Sequence, residues 1–132
     1  MKRMRFYRRG SSGQAIIELA LVLPILLLIL FGITEFGRAI MTTNVLNTAA
    51  REGARLAVVR PISDTLAVQN RVNQILGASN IQARQITVEY LATSRSIKVT
   101  VTSDFTILSR GVIRPFMGTI PLRGSTVMRY EG

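Results

Sequence analysis

The sequence predicts an α+β chain: an N-terminal transmembrane helix extended into a long helix, then an amphipathic helix packed on a small antiparallel sheet of about three strands. Three observations lead there. Leu19 to Ile33 is an apolar run interrupted only by Pro24 and Gly32. From Thr34 to Arg60 good helix formers continue without a proline. After Asn80 the apolar residues recur with a period of two, which is the spacing of half-buried strands.

Length sets the first element. Ala15 to Ile33 is 19 residues, which as a helix rises ~1.5 Å each and spans ~28 Å, against ~30 Å of bilayer hydrocarbon. A core helix of a small domain would carry a polar stripe, and Leu21 to Phe31 has none. Pro24 removes one backbone donor and frees the carbonyl of Ala20, which predicts a local kink of the kind membrane helices tolerate. The expected organisation is a basic cytoplasmic leader over 1–13, a transmembrane helix over 14–37 and an extracytoplasmic domain over 38–132.

Charge gives the orientation. The chain carries a net +10, and five of its seventeen basic residues, Lys2, Arg3, Arg5, Arg8 and Arg9, precede any acid. A basic block ahead of an apolar helix holds that end in the cytoplasm. After the leader, twelve basic residues are interspersed with seven acids. A net charge spread in this way, without aromatic interleaving, makes a soluble face rather than a nucleic-acid site, so no nucleic-acid partner is expected.

Beyond the membrane segment, Ala49, Gly53 and Ala57 recur every four residues beside Leu46 and Ala50. Such a stripe either lets another backbone approach closely or is plain helix filler. Arg51, Glu52 and Arg55 project from other faces. Arg60-Pro61 ends the helix, because the residue before a proline is pushed out of the helical region. A second helix is expected from a cap at Ser63 or Asp64 to Gly77, its C-terminal stop, with Val68, Val72, Ile75 and Leu76 on one face. Ile86, Val88 and Tyr90, then Ile97, Val99 and Val101, alternate with polar residues around a Thr93-Ser94-Arg95 turn and predict a hairpin. Phe105 and Ile107 extend the second strand, Pro115, Gly118 and Pro121 break the pattern into a loop or short helix around Phe116, and Ser125 to Tyr130 forms the third strand.

Chemistry is constrained by what is missing. Cys and His are both absent, which removes thiolate chemistry, the usual general base and the common zinc ligands. Glu52, Asp64, Glu89 and Asp104 are the carboxylates left for acid–base pairing, and strand and turn carboxylates are usually solvated charges. No enzyme, metal or cofactor is expected.

The informative residues stand at the start of the apolar helix. A secretory signal peptide is cut after its apolar region, whereas here Gly13 sits just before it and the carboxylate of Glu18 lies five residues on. An acid within a membrane helix is costly, roughly 2.5–3.5 kcal/mol at the centre and less near the ends, so Glu18 either snorkels to the interface or finds a partner. A cut after Gly13 would leave an amino group on Gln14, with a reference pKa of about 7.7–8.0. That cation on one subunit can pair with Glu18 of another and set the register of helices packed side by side.

Gly13-Gln14-Ala15-Ile16-Ile17-Glu18 resembles the Gly-x-x-x-x-Glu processing site of type IV prepilins and pseudopilins, which an aspartic membrane peptidase cuts after the glycine. Extended to Pro24, the stretch resembles the opening of TadE-like proteins, and Ala49-Ala50-Arg51-Glu52-Gly53-Ala54-Arg55 resembles the Ala-Ala-Arg-x-Gly-Ala-Arg signature that follows their membrane helix. Val127-Met128-Arg129-Tyr130-Glu131 is similar to how many of them end. The resemblance is specific over residues 13 to 60 and weaker beyond.

It implies a pseudopilin of the tight-adherence (Flp pilus) system in the bacterial inner membrane, a minor component that helps initiate or stabilise fibre assembly. Gly13 would be the last leader residue, Gln14 the mature N-terminus and Glu18 the assembly carboxylate, with Ala50, Arg51, Gly53, Ala54 and Arg55 carrying the family motif. The implied partners are a prepilin peptidase, other pilins or pseudopilins, the tight-adherence membrane machinery and membrane lipid. Ala15 two places past the cut, and no aromatic following Glu18 where the major Flp subunit often has Tyr, favour a minor component. Two rivals stand beside this reading. Gly37-Arg38-Ala39 is a small-x-small tripeptide at which signal peptidase would release a soluble protein starting at Ile40. Alternatively, the chain is an uncleaved signal-anchor protein whose extracytoplasmic domain binds another protein.

Overall fold

The computed structural model describes residues 12–61, 64–107 and 119–130. Its elements are helix α1 (Ser12–Val59), helix α2 (Thr65–Ala78), strand β1 (Gln85–Leu91), a 3-10 turn (Ala92–Ser94), strand β2 (Ser96–Phe105) and strand β3 (Ile120–Arg129). The basic leader up to residue 11, the Ser63 alternative for the cap, the loop around Phe116 and the terminal Glu131 lie outside the described residues. The chain divides into two compact units, Met1–Thr34 and Glu35–Gly132.

In the first unit α1 runs through Pro24 without a break. Its large apolar side chains lie open: Leu21 is 69% exposed and Leu28 66%. A helix surrounded on all sides by uncovered Leu, Ile and Val is stable where the surroundings are themselves apolar.

In the second unit the rest of α1 and α2 cover one face of a three-stranded antiparallel sheet of order β1-β2-β3. Leu46, Ala49, Ala50, Ala54 and Ala57 are all buried on one face of α1, at the helical spacing that points residues to one side. Val68, Val72 and Leu76 of α2 and Ile97, Val99 and Val101 of β2 complete the core. The period-two reading of the hairpin and the helical reading of α2 therefore describe the same interior from its two sides.

Two glycines set how closely these layers approach. A β-carbon on Gly53 would stand 2.7 Å from a methyl of Val72 and 3.4 Å from Val99. On Gly124 it would collide with the α1 backbone itself, 2.6 Å from the Asn47 nitrogen and 2.7 Å from the Leu46 oxygen. Gly124 pairs with Val101 in the sheet, so β3 meets the helix main chain where it has no side chain. The first contact can relax by turning a valine; the second requires two backbones to separate.

The ends of α2 differ in part from expectation. Asp64 is the N-cap, its carboxylate accepting from the Ala67 N–H. Gly77 is not the stop: the helix continues to Ala78, with Ser79 as C-cap. Asn80 takes the left-handed conformation there, φ 54°. The Asn80 N–H donates to Gly77 O and the Ile81 N–H to Leu76 O, the pair of bonds that defines a Schellman ending. Leu76 is buried, and Ile81 packs against the same core. That contact decides the position of the stop, since it requires Ile81 at the second place past the cap, and asparagine tolerates the left-handed region.

The third strand also begins earlier than expected, at Ile120 rather than Ser125, and takes in Pro121. The ladder explains why. The Tyr130 N–H donates to Arg95 O in the register that pairs Ser96 with Arg129. Antiparallel residues alternate between bonding their neighbour and facing away, so the even-numbered residues of β3 bond to β2 and the odd-numbered ones turn outward. Pro121, with no N–H to offer, faces the open side of an edge strand, where proline is tolerated.

Gly124→Ala is expected to cost about 1–3 kcal/mol as overpacking, and Gly53→Ala to cost less. Denaturant unfolding of the full chain in detergent, followed through Tyr90 and Tyr130, which pack against the core, measures both; equal costs would contradict the backbone contact.

Candidate functional site

Gly13, Gln14 and Glu18 lie in the first two turns of α1. A side chain built on Gly13 meets nothing within 4 Å. Gln14 and Glu18, four apart, lie on one side of the helix. Glu18 is exposed, flanked by Ile17 at 64% and Leu19 at 62% exposure. The geometry is an open helix end with one carboxylate on an otherwise apolar surface. In lipid such a carboxylate stabilises contact with a cation or a hydrogen-bond donor.

The second motif sits in the other unit and is divided by function. Ala49, Ala50, Gly53 and Ala54 are buried against α2 and β2, whereas Arg51 and Arg55 are exposed. Ala57, the last of the stripe, is 2% exposed. Glu52 between them is half-buried and faces Arg71 of α2 at 3.8 Å. The motif therefore places small residues where the helix touches the core and arginines where it touches water.

The structure does not bring the four candidate acid–base carboxylates into one catalytic group. Asp64 pairs with Arg60 at 3.1 Å, Asp104 with Arg84 at 3.1 Å, Glu89 with Lys98 at 3.7 Å and Glu52 with Arg71. Among the described residues no cluster of three or more potential metal ligands occurs. The Gly37-Arg38-Ala39 tripeptide lies inside α1, where Arg38 pairs with Glu35 at 2.8 Å and stacks over Phe105 at 5.2 Å. An open groove of ≈ 420 Å³ runs between Ile40, Met41 and Val45 of α1 and Ile75 of α2.

The contact between Leu46 and Gly124 joins segments far apart in the chain and is not marked by local pattern. An isolated glycine inside a strand marks close backbone approach, but Gly124 lies one residue before Ser125, where the residue pattern starts the third strand.

Helix α1 is long and apolar enough to cross a membrane. No curated protein and no solved structure matches the chain. Residues 13–55, which include both the Gly13–Glu18 and Ala49–Arg55 stretches, match the family model of TadE-like proteins, and over this segment the chain is similar to them.

Proposed function

We propose that the chain is a pseudopilin, a minor non-catalytic component of tight-adherence (Flp) pilus assembly, cut after Gly13 and assembled through its N-terminal helix. The observation that carries the reading is the TadE-like match over 13–55, which ties the chain to that pilus system. Within the matched segment a β-carbon built on Gly13 would meet no described atom within 4 Å beyond its own helix turn and chain neighbours, which is compatible with a peptidase site. The basic leader holds this end in the cytoplasm by the positive-inside rule, and a small folded domain follows outside. Cleavage there exposes the Gln14 amine on the side of the helix that carries Glu18, so amine and carboxylate of neighbouring subunits can pair in a low-dielectric surrounding, where such a pair is strong.

Intact mass and N-terminal sequencing of protein from its native membrane test the cleavage. The expected start is Gln14; a start at Ile40 would make it a secreted soluble domain, and an intact N-terminus an ordinary membrane anchor. Gly13→Ser is expected to leave the full-length precursor in the membrane, so an unchanged mature mass would refute the site. Glu18→Ala is expected to be processed and inserted normally yet absent from the pilus assembly, and normal piliation in that variant would remove the pairing role.

A further inference from the structure

Among the described residues the outer edge of β3 is open. Among the described residues no strand pairs with it, and Arg123, Ser125, Val127 and Arg129 direct their N–H groups there by the alternation derived above. Their side chains share the sheet face turned away from the helices, since Gly124 and the other even-numbered residues face α1. Val127 is 57% exposed. The carboxylates of that face are engaged, Glu89 by Lys98 and Asp104 by Arg84, while Arg123 and Arg129 pair with no acid among the described residues. Among the described residues the edge thus offers four unbonded donors and, at its ends, two guanidinium groups without an acid partner set six residues, ~20 Å, apart.

Basic residues and proline on an edge deter pairing in general, but they do so selectively. Pro121 blocks only one end. A second copy pairing antiparallel through all four donors must centre on Thr126, which sets Arg123 opposite Arg129 twice, and like charges directly opposite are destabilising. A strand carrying acids at those two places meets the same arginines as partners, so the arrangement rejects self-pairing and selects by charge.

We propose that β3 is a docking edge for an extended acidic segment of another protein, which adds a fourth antiparallel strand and sets two carboxylates, six residues apart, against Arg123 and Arg129. Strand addition of this kind takes affinity from main-chain bonds and specificity from side chains.

The test uses the full chain in neutral detergent micelles and a labelled peptide, Thr-Glu-Thr-Val-Thr-Val-Thr-Glu-Thr, against its counterpart with Lys for both Glu. The acidic peptide is expected to bind and to slow amide exchange at Arg123, Ser125, Val127 and Arg129, and the Lys peptide not to bind. Arg123→Glu with Arg129→Glu is expected to weaken the acidic peptide about tenfold, from two lost cross-strand pairs, and to reverse the preference. Val127→Pro, which removes an outward donor and leaves both charges, is expected to weaken binding as well. No binding of the acidic peptide, binding without protection of those four amides, or cross-links joining β3 of two copies would each overturn the proposal; the last would give the edge to a second copy.

Discussion

The Glu35–Gly132 unit depends on how near the main chain of α1 can come to its neighbours. At Gly124 the helix backbone around Leu46 and Asn47 occupies the space a β-carbon would need, and at Gly53 the methyls of Val72 press in from α2. Contacts this close need a small residue on one side. That is why the buried face of α1 past Thr34 consists of Leu46 with Ala49, Ala50, Gly53, Ala54 and Ala57, while the bulk of the core comes from Val68, Val72 and Leu76 opposite and Ile97, Val99 and Val101 below. Large side chains on α1 would overpack; small ones opposite would leave cavities. The TadE-like signature Ala49–Arg55 is, in this structure, a close-packing surface with arginines on its wet side.

The same helix solves a second problem in its first part. Up to Thr34 it carries Leu, Ile, Val and Phe on every side, and none of that stretch is covered by protein. In hydrocarbon no gain comes from burying a leucine against another helix, since lipid is as apolar as the side chain; what a helix needs there is internally satisfied backbone and apolar surface. Past Thr34, in water, the gain comes from removing apolar area, and the side chains become small, periodic and one-sided. The change in residue size and pattern along α1 is what a passage from lipid to water would require.

Much of this was legible in the sequence because periodicity and length report directly on solvent. Leu19–Ile33 is long and apolar enough to span a bilayer, and Ile97-Val99-Val101 alternate as one face of a strand does. What was not legible depended on contacts between distant segments. Gly77 has the composition of a helix stop, but the stop is fixed by Ile81 reaching back to Leu76, so Asn80 takes the left-handed position instead. Pro121 has the composition of a strand breaker, but whether a proline breaks a strand depends on which way its nitrogen faces, and that is set by the register with β2. Of the motif at the membrane end, the sequence supplied the residues Gly13, Gln14 and Glu18; the structure adds that they share an open helix end, with Gln14 and Glu18 on one side.

An exposed carboxylate on an apolar helix, and two arginines with no acid partner among the described residues on a strand edge, are the same kind of feature. The other acids among the described residues are matched: Glu35 to Arg38, Glu52 to Arg71, Asp64 to Arg60, Glu89 to Lys98 and Asp104 to Arg84, across a surface where water screens the charges. Glu18 and the pair Arg123 and Arg129 have no partner of opposite sign among those residues. They differ in what surrounds them. For Glu18 the neighbouring side chains are apolar, so in a bilayer its isolation would be costly, and under the proposed function the compensating group comes from another chain. For the arginines isolation costs little, because water solvates them, and the selectivity they confer is realised only when a strand arrives and its backbone fixes which side chains stand opposite. Glu18 is suited to a contact whose geometry the membrane enforces, and the β3 edge to one whose geometry the hydrogen-bond ladder enforces.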